Sequence, residues 1–94
     1  MKEFLSEKLQ LQETLTVNEA ISIHSYQKNY NGDIYLLANH EIVELTNLTE
    51  LVTFSLLLNE GNEIQIIVEG PNAKTAINNV KQHLTYPSSS MMVH

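Results

Sequence analysis

The chain contains no cysteine, which removes disulfide frameworks, thiolate metal sites and thiol nucleophiles together. Basic residues are also scarce. Five lysines and arginines stand against eleven acidic residues, for a net charge of −6. A chain with that balance and no basic cluster is not expected to bind nucleic acid. The longest apolar stretch, Phe54–Leu58, has five residues and a serine within it, far short of the roughly 20 needed to cross a bilayer. The opening MKEFLSEKLQ lacks the apolar run of a signal peptide. These absences point to a soluble cytoplasmic protein with no membrane partner. The three glycines, Gly32, Gly61 and Gly70, are dispersed, each has an ordinary use in a turn, and no glycine-rich phosphate loop is present. Among His24, His40, His83 and His94 there is no i, i+4 pair and no HExxH, so neither a metal nor a cofactor is expected.

What is present is a chain of 94 residues, 43% of them hydrophobic, enough for one domain with one modest core. KLQLQ, 8–12, alternates strictly and reads as a strand. TLTVNEA follows, and in it Thr16-x-x-Glu19 has the form of a capping box. Val17, Ala20, Ile21 and His24 then recur at helical spacing, widened by Ile23 and Gln27, until the Asn31-Gly32 turn signal. DIYLLANHEIVELT, 33–46, reads as a hairpin. Ile34, Leu36, Ala38, Val43 and Leu45 face one side, and Asn39-His40 occupies the turn. Asn47 and Glu50 repeat the cap logic before a short helix through Leu56. EIQIIVE, 63–69, is the clearest strand. After Gly70-Pro71-Asn72, the residues Ala73, Ala76, Ile77, Val80 and Leu84 form the stripe of a last helix.

The order β-α-β-β-α-β-α, with one apolar face per strand and one stripe per helix, predicts an α+β open-faced sandwich. Its four-stranded antiparallel sheet has the helices on one side. Residues 1–7 are expected as an N-terminal arm, 8–84 as the domain, and 85–94 as a disordered tail containing Pro87 and a serine run.

This element order, with its short middle helix, resembles the phosphocarrier protein HPr of the bacterial sugar phosphotransferase system. The likeness is best over NYNGDIYLLANHEIVELTN and GNEIQIIVEGPNAKTAINNVKQHL, and covers 8–84. The turn in LLLNEG is about two residues longer than the family's usual turn. In that family a histidine caps the first helix, carries the phosphoryl group and is followed by Ala, Arg and Pro. The resemblance puts Thr16 at the histidine, Asn18 at the arginine and Glu19 at the proline. The serine that caps the middle helix in Gram-positive members is matched by Asn47. Thr16, Asn18 and Asn47 therefore read as degenerate phosphorylation positions, and Glu19 adds a charge that repels a phosphoryl group. No catalytic residue is expected, and the protein is read as a non-enzyme.

The resemblance implies a non-catalytic regulatory or protein-interaction module whose partner is a phosphotransferase-system enzyme or regulator. A candidate docking face consists of Ile21, Leu48 and Val52. The simpler reading of Leu48 and Val52 is packing against the core. Leu37, Ile42 and Ile67 are outward-facing apolar residues that the HPr-like strand order 1-4-2-3 brings onto adjacent strands, a candidate interface for a homo-oligomer unless Phe4 and Leu5 of the arm cover it. A residual phosphocarrier using His24 or Thr16 is the alternative, although His24 on the helix stripe reads first as a packed, hydrogen-bonded histidine. An unrelated sandwich binding a small ligand at a helix–sheet edge is a further alternative.

Overall fold

The computed structural model describes residues 3–11, 14–59 and 61–85. Seven elements follow in the expected order: β1 (Glu3–Gln10), α1 (Val17–Lys28), β2 (Asp33–Ala38), β3 (Glu41–Glu44), α2 (Leu48–Leu56), β4 (Glu63–Gly70) and α3 (Ala73–Thr85). The strands form one sheet in the order β1-β4-β2-β3, with every neighbouring pair antiparallel. The inner face carries Ile34, Leu36, Ala38, Val43, Ile64, Ile66 and Val68, all buried. Helix residues Ala20, Ile23, Leu51, Phe54, Ala73, Ala76, Ile77, Val80 and Leu84 close over them. Among the described residues no helix covers the other face of the sheet, so the sandwich is open, as the alternation predicts.

Turn chemistry places the strands. Asn39 and His40 both take positive φ, 52° and 66°, the backbone that a two-residue hairpin with the sheet's own twist demands. Gly61, at φ 91°, turns the chain into β4 where a side chain would be strained. Gly32 and Gly70 serve close approach instead. A Cβ on Gly70 would lie 2.7 Å from the Tyr30 hydroxyl and 2.9 Å from Gly32 Cα. The Tyr30 hydroxyl donates to the Pro71 carbonyl at 2.7 Å and ties the end of β4 to the loop after α1.

Three expectations need correction or relocation. Residues 3–7 are not an arm: β1 pairs with β4 along its whole length, from Glu3 opposite Gly70 to Gln10 opposite Glu63. Its first half lacks an apolar pattern because the inner positions Glu3 and Glu7 meet polar groups of α3. The Ala73 N–H donates to Glu3 Oε1 at 3.1 Å, and Lys81 Nζ donates to Glu7 Oε2 at 2.6 Å. The buried stripe of α1 is Ala20, Ile23 and Gln27 rather than one through Val17 and Ile21, which are 42% and 43% exposed. Gln27 turns inward because its amide closes the α1–β2 connection. Its Nε2 donates to the Gly32 carbonyl at 2.8 Å and its Oε1 accepts from the Ile34 N–H at 2.9 Å. The expected tail 85–94, apart from Thr85 at the end of α3, lies outside the described residues.

Candidate functional site

The starts of α1 and α2 are built by local capping. Thr16, with extended backbone (φ −86°, ψ 161°), is the N-cap of α1. The Glu19 N–H donates to Thr16 Oγ1 at 3.1 Å, while the Thr16 N–H donates to Glu19 Oε1 at 2.9 Å. Two of the helix's free donors are thus satisfied by the chain itself. Asn18 follows, exposed, in the first turn. At α2, Asn47 Oδ1 accepts from the Glu50 N–H at 3.0 Å. Both helix starts therefore carry a carboxylate in the first turn, where it interacts well with the helix dipole and opposes a second anion.

His24 is half-buried and ties α1 to the segment that leads from β3 into α2. Its Nδ1 lies 2.8 Å from the Leu45 carbonyl oxygen. A carbonyl only accepts, so the proton is on Nδ1. Ile21 stands one turn before His24, and Leu48 opens α2 three residues after Leu45. The exposed Ile21 and Leu48 therefore flank this link, at 43% and 37% exposure. Val52, one turn further along α2, is partly buried against the core. Of this candidate docking face, two residues are accessible and the third packs inward.

On the open face of the sheet, Leu37 lies directly opposite Ile42 across β2 and β3. Ile67 lies opposite Tyr35 across β4 and β2, so it meets Leu37 only diagonally. Phe4 extends this face from β1, opposite Glu69, and is 69% exposed. Residues 3–7 are therefore part of the sheet and do not fold over it. Tyr35 is half-buried here, and its phenol pKa is raised by burial first and by Asp33, Glu44 and Glu69 second.

Between β3 and α2 runs a groove of about 390 Å³ that sequence reasoning did not select for function. It is lined by Glu41, Ile42, Val43, Thr49, Glu50, Thr53, Phe54 and Leu57. The available signal was the spacing Thr49, Thr53, Leu57 along one stripe of α2 beside a short last strand. Among the described residues no three histidines, aspartates or glutamates come together to hold a metal, and no helix is long and apolar enough to cross a membrane.

No protein-family model matches the sequence, and no curated protein matches it. Solved structures do. The phosphocarrier protein HPr of Bacillus anthracis superposes with a TM-score of 0.74 at 18% identity, covering 87% of this chain and 98% of that one. A mycoplasma histidine-containing phosphocarrier protein gives 0.72 at 18% identity, with 84% and 90% covered. HPr-C-His from Thermoanaerobacter tengcongensis gives 0.67 at 15% identity, with 87% and 90% covered. At this level of identity the likeness is one of fold: the chain has the HPr-like α+β open-faced sandwich.

Proposed function

We propose that this chain is an HPr-like protein related to the sugar phosphotransferase system that has lost its phosphorylatable histidine and serine. In this reading it acts in the cytoplasm, without catalysis, as a regulatory or protein-interaction module. The observation that carries the reading is the start of α1. A helix N-terminus is a ready anion site, yet here the Thr16–Glu19 capping box answers it from within. Asn18 brings no cation, and at α2 Asn47 caps with an amide while Glu50 adds a negative charge. Ile21 and Leu48, with Val52 beneath, keep apolar contact area without phosphoryl chemistry. The partner is a phosphotransferase-system enzyme or regulator.

The test is phosphotransfer read by intact mass. The protein is incubated with phosphoenolpyruvate and Enzyme I, and separately with ATP and an HPr kinase, with authentic HPr alongside. The expected result is no added phosphate on this chain while HPr is labelled. A phosphorylated species overturns the reading in favour of a residual phosphocarrier, and peptide mapping then decides between Thr16, His24 and another residue. Binding to purified phosphotransferase-system proteins is expected to vanish in Leu48→Asp with the circular dichroism spectrum unchanged. A second reading, a homo-oligomer through Leu37, Ile42 and Ile67, is favoured by the direct opposition of Leu37 and Ile42. Light scattering at high concentration distinguishes it, since a monomer there removes it.

A further inference from the structure

The strand β3 is the outer strand of the sheet, and among the described residues no strand pairs with its far edge. The pair flanking its two-residue turn is Ala38 and Glu41. In such a hairpin that pair exchanges both backbone bonds, and the pattern then alternates. Glu41 and Val43 therefore direct their N–H and C=O groups toward β2, and Ile42 and Glu44 direct theirs off the sheet. The Glu44 carbonyl accepts from the Asn47 N–H at 3.1 Å, which leaves the two groups of Ile42 and the N–H of Glu44 as a short template for another strand.

Directly beside this edge lies the groove against α2. Buried Val43 and Phe54 form its base, and Thr49, Thr53 and Leu57 form its helical wall, with Leu57 58% exposed. Its charged lining residues are Glu41 and Glu50, Glu44 sits at the end of the same strand, and among the described residues no lysine or arginine lines it. A strand edge with an apolar groove alongside is the arrangement by which an extended peptide is added to a sheet. Backbone bonds hold such a peptide, and alternate side chains are read by the groove.

The charge selects the occupant. A second copy pairing through β3 would bring one acidic edge, with Glu41, Glu44 and Glu50, up to the same acidic edge of a chain that also carries −6, whereas a basic segment meets it with opposite charge. Edge protection by charge accounts for the glutamates but not for an exposed leucine beside an apolar groove. We infer that the β3 edge and the β3–α2 groove bind an extended basic segment of a partner protein by strand addition. An apolar side chain of that segment seats over Val43 and Phe54, and its lysines or arginines lie on the other face beside Glu44, within the acidic field that Glu41 and Glu50 add. This surface is separate from the Ile21–Leu48 face.

The test uses the full chain and a fluorescently labelled hexapeptide that alternates lysine and valine. Saturable binding is expected, with amide shift changes in the nuclear magnetic resonance spectrum centred on residues 41–44 and 49–57. The peptide with glutamate for lysine, and the one with a central proline in place of valine, are each expected to bind at least tenfold more weakly. Thr53→Arg, which puts bulk and like charge into the groove at an exposed position, should weaken the original peptide at least tenfold. Several outcomes would overturn the inference: no binding, binding indifferent to the proline or to Thr53→Arg, or shift changes centred elsewhere. Concentration-dependent dimerisation through residues 41–44 would overturn it in favour of a second copy.

Discussion

The two outer strands of the sheet solve the same problem in opposite ways. β1 is eight residues long and would offer a long exposed edge, but α3 holds it: the Ala73 N–H bonds Glu3, and Lys81 bonds Glu7. Beyond its end, Leu11 continues the pairing, donating to the Asn62 carbonyl at 2.9 Å and accepting from the Gly61 N–H at 3.0 Å, with its side chain buried. β3 is four residues long, is held by β2 and the turn at Asn39-His40, and has a groove beside it. β1 is thus tied down through its side chains although its residues are exposed or half-buried, whereas β3 is guarded by shortness and charge.

The comparison can be broken from the β1 side. Leu11→Ala removes a buried side chain at the end of that edge and should cost about 3 kcal/mol of unfolding free energy, read as a lower midpoint in urea. A cost near zero would mean that the β1 edge contributes no more than β3 does. Gly70→Ala puts a methyl group where Tyr30 and the Gly32 backbone already sit, with Glu3 of β1 opposite on the neighbouring strand. About 2 kcal/mol of destabilisation is expected from that overpacking. Adding Tyr30→Phe should recover only part of it, because the Gly32 backbone still lies 2.9 Å from the added methyl group.

A smaller effect comes from the Glu7–Lys81 pair, whose side chains are 34% and 33% exposed. The hydrogen bond from Lys81 is the largest cause holding the Glu7 carboxyl below its usual value of 4.5. A carboxyl whose folded pKa is depressed stabilises the fold above its unfolded pKa and loses that contribution as pH falls through the folded one. Solvent screening limits the contribution to about 0.5 kcal/mol. The stability of Glu7→Gln should therefore lie below that of the parent at neutral pH. The difference should close as pH drops beneath 4.5, and salt should shrink it. On the β3 side, Ile42→Ser changes a residue that is 59% exposed and should alter stability by less than about 0.5 kcal/mol. A loss of several times that in urea melts would show that the β3 edge, too, is structural.

The expectations that came closest were those with a local cause. The Thr16–Glu19 box, the Asn47 cap and the Asn39-His40 turn each depend on residues within three or four positions, and each forms as expected. Ile64, Ile66 and Val68 follow from period-two alternation, and the α3 stripe follows from the helical period. The expected stripe of α1 holds in part: Ala20, Ile23 and Gln27 are buried while Val17 and Ile21 are exposed, and Gln27 turns inward because an amide can both donate to Gly32 and accept from Ile34. Ile21 and Leu48 were identified as candidate contacts, and both are exposed. The groove was not identified, because its two walls come from separate elements.

The sequence by itself therefore determined the element order, the caps, the turns and most of the core, because each is a matter of neighbours along the chain. Only the tertiary structure decided where β1 begins, which face of α1 is buried and what lies beside β3. The Glu3 and Glu7 partners are 70 and 74 positions away in sequence, and no periodicity reaches that far. Polar residues at inner-face positions look like interruptions until the folded chain brings the groups that satisfy them.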